Sequence, residues 1–404
     1  MPTLLQINGA VNAGSTGRIA EEMGRFVLEQ GWESYIAYAR SNNPSASKTY
    51  KIGSKIDILK HVAQTRLLDR HGLGSVASTR QLLDFIESIH PDIIHLHNIH
   101  GYYLNYKLLF AYLKKKNIPV VWTLHDCWSF TGHCAHFATI KCDKWLSQCE
   151  KCGLKREYPS SLFMDRSSTN FREKRAAFNG VKRLQLVPVS GWLEQQVRAS
   201  FLKGNAIQRI YNGVDLSRFT STPNAALADR LQVKGKFVLL AVATIWYDLK
   251  GLQDYPKLVQ QLKEDEVLIM IGLTKKQMKQ LPKQIIGLER TENLQELVEL
   301  YSLADVVLNL SYAETFGLTT VEGFACGTPS IVYNATSSPE LMTSETGEIV
   351  EPGDIQGVVQ AIATIRSKDA SSYAFACRKR VVEYFDKRDT YKAYFKVYTD
   401  LMGS

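Results

Sequence analysis

Two glutamates eight residues apart, Glu314 and Glu322, close the segment Glu314-Thr-Phe-Gly-Leu-Thr-Thr-Val-Glu322, which runs on into Ala325-Cys-Gly-Thr-Pro329. An ionised carboxylate accepts two hydroxyl hydrogen bonds at once, so the pair suits sugar and ribose hydroxyls. Gly317 allows close backbone approach, and the amides of Phe316, Gly317 and Leu318 fall where a helix should begin. Unpaired N–H groups at the positive end of a helix dipole suit a phosphate. The plain alternative is an ordinary connection carrying two surface glutamates. Phe316-Gly317 behind the first and Ala325-Cys-Gly-Thr-Pro329 behind the second make the signature specific.

Other chemistry is scattered through the first half. Gly9-Ala-Val-Asn-Ala-Gly14-Ser-Thr-Gly17 nearly spells a Walker A loop, but Ser15 stands where the phosphate-binding lysine belongs. It is not G-x-G-x-x-G either, which argues against a nicotinamide dinucleotide site. What is left is a flexible loop able to bring its amides near a phosphate through Gly14 and Gly17, or else a tight turn. All nine histidines precede residue 137. His125 follows the strand-like run Val120–Leu124, at the edge where α/β sheets bind ligands. Asn98, His100 and Tyr102, after the preceding strand, are candidate ligand contacts.

Four cysteines, Cys134, Cys142, Cys149 and Cys152, crowd nineteen residues of an insert that spans 127–152. The last two form a C-x2-C knuckle. A short polar loop without its own core gains most from a tetrahedral zinc staple, with His133 or His136 able to replace one sulfur. Two disulfides are the rival reading.

These residues need a scaffold. Thr3–Asn8, Ser34–Ala39, Asp92–His97, Val120–Leu124 and Leu184–Val189 read as strands, and Thr16–Glu29 as a helix between them. Phe237–Ala243, Val267–Ile271, Val306–Leu310 and Pro329–Tyr333 repeat the pattern, with helices at Gln253–Lys263, Asn293–Ser302 and Gly357–Arg366. Alternation of this kind means parallel sheets with crossover helices, here two α/β Rossmann-like domains. The tail Ala374–Leu401 reads as one helix.

At 404 residues the chain can bury two cores, and 45% hydrophobic with 22% charged residues is the composition of a globular protein. No apolar run reaches the roughly 20 residues of a membrane span, and Met1–Asn8 turns polar too soon for a signal peptide, so a cytoplasmic protein is expected. The formal charge is +9, which favours anionic partners. No nucleic-acid module accompanies it, so no nucleic-acid partner is expected. Lys114-Lys-Lys116 follows the aromatic segment Tyr102–Leu113, which could dock on an anionic membrane surface or form a core helix.

The glutamate signature resembles the donor site of the retaining GT-B glycosyltransferases, in the large family with E-x7-E followed by A-C-G-T-P. The resemblance covers nearly the whole chain and is densest from Ala304 to Glu340. Thr123-Leu-His125-Asp126, the cysteine insert and Glu314 to Thr320 together are similar to the family-4-like branch that assembles capsule, colanic acid or exopolysaccharide. The resemblance implies the GT-B fold, two Rossmann-like domains facing a cleft. An acceptor-side domain would cover 1–200 and a nucleotide-sugar domain 201–380, with a terminal helix, 381–404, crossing back to the first.

It also implies roles. Glu322 would hold the ribose, Glu314 the sugar hydroxyls, and Phe316, Gly317, Leu318 and Thr319 the sugar and phosphate through their amides. Lys250 would neutralise the leaving diphosphate, His125 would contact the transferred sugar, and Gly14 and Gly17 the diphosphate or acceptor. Thr244 replaces the family's arginine, leaving Arg290 or Lys275 to substitute. The implied reaction moves a hexose from a nucleotide diphosphate sugar, UDP ahead of GDP, to a glycan or polyprenyl-diphosphate-linked acceptor. No catalytic cofactor or metal is expected. The rivals are an inactive partner subunit of the same fold and a sugar-nucleotide epimerase.

Overall fold

The structure, a computed structural model, describes residues 1–403. It divides into two compact units: Met1–Ile210 together with the chain from Tyr391 onward, and Tyr211–Thr390. The divisions thus fall after Ile210 and Thr390, against the expected 200 and 380.

The first unit holds a seven-stranded sheet of β1 (Thr3–Ile7), β2 (Glu33–Tyr38), β3 (Lys48–Lys51), β4 (Ile93–Leu96), β5 (Val120–Leu124), β6 (Leu184–Pro188) and β7 (Ala206–Ile207). Their order is β3-β2-β1-β4-β5-β6-β7, and every pairing is parallel. β1, β4 and β5 are buried along their whole length, as their near-continuous apolar sequences require when helices cover both faces. The order reverses at β1 and β4, so the loops leaving β1, β4 and β5 sit at a topological switch point, where such sheets bind ligands.

The second unit repeats the design with β8 (Phe237–Val242), β9 (Glu266–Ile271), β10 (Ile285–Leu288), β11 (Val306–Asn309), β12 (Ser330–Tyr333) and β13 (Gly347–Val350), ordered β10-β9-β8-β11-β12-β13. These pairings are parallel too. The switch falls at β8 and β11, whose C-terminal loops carry Lys250 and Glu314 respectively.

The tail is two helices rather than the single one its pattern suggests, Ala370–Tyr384 and Lys387–Gly403. The break has a backbone cause: Val214 N–H donates to the Phe385 carbonyl at 2.8 Å, and Lys387 N–H to the Val214 carbonyl at 3.1 Å. Helical residues could not make that bridge. The second helix then buries Tyr391, Tyr394, Val397 and Tyr398 against Leu4, Trp32, Ile93 and Val121 of the first unit.

The aromatic segment before Lys114 is core, which corrects the membrane-docking expectation for it. In the helix Tyr106–Lys116, Tyr106 and Phe110 are fully buried, with Phe110 5.3 Å from the Trp122 ring and Tyr106 5.1 Å from Phe178. Two of the three lysines are engaged by protein: Lys114 Nζ donates to the Ala176 carbonyl at 2.8 Å, and Lys116 pairs with Glu87 at 2.5 Å. Among the described residues no helix is long and apolar enough to cross a membrane.

Candidate active site

In the second unit, Lys250 ends a short 3-10 turn, Asp248–Lys250, that leads from β8. Gly251 fixes its position. A Cβ there would stand 2.0 Å from the Leu310 carbonyl oxygen, and its φ is +72°, so only glycine lets the turn lie against the end of β11. Lys250 Nζ consequently reaches Glu314 Oε1 at 2.5 Å, with Ser311 Oγ 3.1 Å from the same oxygen. Burial pushes the Lys250 ammonium down, but the Glu314 carboxylate outweighs it and raises the lysine above its ordinary value. The lysine stays charged.

The Glu314 loop is pinned at its backbone. Its N–H donates to Thr336 Oγ1 at 2.8 Å, and its carbonyl accepts from Thr336 Oγ1 at 2.7 Å and Ser337 Oγ at 2.9 Å. Gly317, at φ +101°, turns the chain into the helix Leu318–Ala325. The first amides of that helix, including Leu318 and Thr319, point out of its N-terminus without intrahelical acceptors. The Phe316 side chain is buried between Tyr211 and Phe385, so only its backbone can serve a ligand. One turn on, Glu322 Oε2 accepts a hydrogen bond from the Tyr301 hydroxyl at 2.8 Å. Burial, reinforced by that carboxylate, drives the Tyr301 hydroxyl far above the usual tyrosine range, so it remains a donor. Tyr301 was not foreseen from sequence. Thr244, Lys275 and Arg290 all stand exposed.

In the first unit, the β1 loop is tied down rather than flexible. Asn8 Nδ2 donates to the Ala10 carbonyl at 2.9 Å, Val11 N–H to Ser41 at 2.8 Å, and Asn12 N–H to Gly17 at 3.0 Å. Gly14 opens the helix Gly14–Glu29 with free space beside its Cα, and Gly17 is packed tightly against the Ala10 carbonyl.

His125 sits just past β5, with Nε2 3.4 Å from His97 Nδ1. Burial brings His125 down to about 4, Asp126 opposing, so near neutral pH its ring is an uncharged hydrogen-bonding group. Asp126 instead faces His100, whose Nε2 lies 2.8 Å from Asp126 Oδ2, while His100 Nδ1 meets the Tyr158 hydroxyl at 3.0 Å. Burial raises the Asp126 carboxyl, but the His100 ring more than reverses this and leaves it at about 2. The chain thus sets His100 between Asp126 and Tyr158, a grouping that the spacing in sequence does not show. Tyr102 adopts φ +68° beneath Arg40, 5.5 Å from its ring, and Asn98 gives its carbonyl to the Tyr103 hydroxyl at 2.8 Å.

The cysteine insert folds as short turns, and Cys134, Cys142, Cys149 and Cys152 all line one cavity of about 20 Å³ with His133. Gly132 N–H donates to Cys149 Sγ at 3.2 Å. A hydrogen bond from Cys134 lowers the Cys152 thiol, despite burial. His133 Nδ1 is 2.7 Å from Asp69 Oδ1, and its Nε2 is buried without a partner. Among the described residues no three His, Cys, Asp or Glu side chains are already spaced to hold a metal ion.

Comparison with known proteins gives the family and the fold. The family described as Glycosyltransferase Family 4 matches residues 16–218, and that described as Glycosyl transferases group 1 matches 236–368. A protein of Escherichia coli K12 named as a colanic acid biosynthesis glycosyl transferase, WcaC, is 24% identical over 372 residues, covering 88% of this chain and 89% of its own. Among solved structures, sucrose-phosphate synthase of Thermosynechococcus elongatus superposes with a TM-score of 0.74 at 16% identity over 100% of both chains. HepE of Anabaena, in complex with UDP, gives 0.69 at 15% identity over 99% of this chain and 100% of its own. At those identities the likeness shows the fold, which is GT-B.

Proposed function

The chain belongs to glycosyltransferase family 4, and on that premise we propose that it moves a hexose from a nucleoside diphosphate sugar to a lipid-linked precursor of a bacterial surface polysaccharide. The observation that carries the reading is the Lys250–Glu314 pair at 2.5 Å, beside the helix that Gly317 opens. In this reading the diphosphate lies on the Phe316 to Thr319 amides and Lys250. As the glycosidic C–O bond breaks, negative charge grows on the leaving phosphate, and a fixed cation stabilises it more than the ground state. The acceptor oxygen bonds to the same face of the sugar, and its proton passes to the departing phosphate oxygen, giving retention without a catalytic metal.

Glu322 holds the ribose and Glu314 the sugar hydroxyls once the donor competes for their present partners. His125, neutral, bonds a sugar hydroxyl, and Gly14 and Gly17 line the diphosphate or acceptor. Asn98, His100 and Tyr102 face the acceptor, with His100 oriented by Asp126. UDP is favoured over GDP because HepE is seen with UDP. The kinship with WcaC supports a surface polysaccharide as the product. The cysteine cavity is read as a structural zinc site that Cys134, Cys142, Cys149 and Cys152 would hold.

A thermal-shift panel of nucleotide sugars tests the reading, since a ligand selective for the folded state raises its melting point. One nucleotide sugar should stabilise the protein and be hydrolysed or transferred. Binding without turnover would mean an inactive partner, and interconversion of free donor without acceptor an epimerase. No stabilisation by any donor overturns the proposal.

A further inference from the structure

The helix Lys55–Leu68 of the first unit is built inside out. Its buried residues are the polar His61 and Thr65, 1% and 0% exposed, whereas Ile56, Leu59 and Leu67 are 63%, 66% and 48% exposed. The polar side is an anchor. His61 Nδ1 meets Ser75 Oγ at 2.9 Å, and its Nε2 accepts the N–H groups of Gly72 and Gly74 at 3.1 and 3.2 Å. With the helix held by that face, its apolar residues are turned to solvent. Ile56, Leu59, Ala63 and Leu67 recur at helical spacing and form one stripe.

The loop beside it extends the ridge. Leu162 N–H donates to the Arg66 carbonyl at 2.8 Å, and the next residue, Phe163, is 70% exposed, with Met164 after it at 46%. Charge then selects the occupant. Lys55, Lys60, Arg66 and Arg70 are all exposed along the same stretch. Its two acids are already engaged: Asp57 closes a capping box with Ser54, and Asp69 is buried against His133. An apolar ridge whose stretch 55–70 carries four exposed cations against two engaged acids, with the exposed Asp165 after Met164 accepting the Cys152 and Ser167 N–H groups, matches an anionic bilayer, where apolar side chains enter the headgroup boundary and cations meet lipid phosphates. Monomeric proteins rarely expose contiguous apolar surface without a use.

We propose that this face docks the protein on the anionic surface of a membrane, through Ile56, Leu59, Leu67 and Phe163 with the flanking lysines and arginines. The purpose, reaching a lipid-carried acceptor, rests on the glycosyltransferase reading above, but the docking itself is measured without any substrate. Vesicles of phosphatidylcholine with phosphatidylglycerol should float the full-length protein, and vesicles of phosphatidylcholine alone should not. Rising salt should weaken binding, because exposed charges are screened.

Leu59→Asp should reduce partitioning by about tenfold or more, since burying one leucine side chain is worth that much and a charge opposes insertion. Lys60→Glu should reduce it by about fivefold or more. Both positions are exposed, so an unchanged melting curve verifies the fold, and thermal shift by the preferred nucleotide sugar should be unaltered. Flotation without transferase activity would uphold docking while removing the catalytic reading. Absence of flotation on anionic vesicles, or flotation indifferent to Leu59→Asp, overturns the docking. Concentration-dependent dimerisation abolished by Leu59→Asp, without flotation, would overturn it in favour of a second copy.

Discussion

Lys250 Nζ lies 2.5 Å from Glu314 Oε1, which joins the turn after one strand to the loop after another in a single charged pair. The lysine is therefore held in place, as its proposed role beside a leaving diphosphate requires. Lys250→Ala should lower kcat by about 10²–10³, the usual loss on removing one fixed stabiliser of transition-state charge. Glu314→Gln should depress kcat more than donor affinity. Steady-state kinetics with the preferred donor check both, and unchanged kcat in both variants removes the site assignment.

Glu322 should act on binding instead. If it holds the ribose equally in the ground and transition states, Glu322→Ala raises the donor Kd by about 10- to 100-fold while kcat at saturation stays near wild type. Tyr301→Phe, which removes the 2.8 Å hydrogen bond to that carboxylate, should produce a smaller rise in Kd. Isothermal titration with the nucleoside diphosphate reads both.

Elemental analysis of protein purified without added metal should give about one zinc per chain, lost in Cys142→Ser and Cys149→Ser and retained in Cys377→Ser. Cobalt substitution should show the strong visible absorption of tetrahedral thiolate. Four titratable thiols in native, metal-free protein would leave the insert as a plain loop.

Stability should fall on acidification. Burial lowers His61 to about 4 and His95 to about 3, against 6.5 unperturbed. The unfolded chain thus takes up protons first, so this stability is complete above pH 6.5 and declines as pH falls towards the folded values. By about pH 5.5 the two rings together should have removed on the order of a few kcal/mol. Urea midpoints between about pH 7.5 and 5.5 test this, and a flat profile contradicts it.

The sheets' central strands were legible because burial on both faces demands continuous apolar runs, as in Val120–Leu124 and Val306–Asn309. The Gly317 turn and its helix were legible because glycine, loop and apolar periodicity coincide there. Edge strands such as Lys48–Lys51 were not, since a half-solvated edge carries no apolar signal. The break at Phe385 depends on a backbone bridge to Val214, far off in sequence. His100 and Tyr158 are 58 residues apart, and no spacing rule predicts their hydrogen bond. Aromatic density in Tyr102–Leu113 fitted core and membrane equally, and only the packing of Phe110 on Trp122 decides it.

The helix Lys387–Gly403 also constrains the order in which the two units complete their folding. His95, on a central strand, has Nδ1 2.6 Å from the Tyr398 hydroxyl, and Thr123 Oγ1 is 2.9 Å from that of Tyr394. Until residues 391 onward leave the ribosome, those polar groups and the apolar floor of Leu4, Ile93 and Val121 have no cover. The unit begun first is thus finished last. Residues 211–390 can complete their own core while the earlier-synthesised unit waits, open on one face, for a segment translated after both.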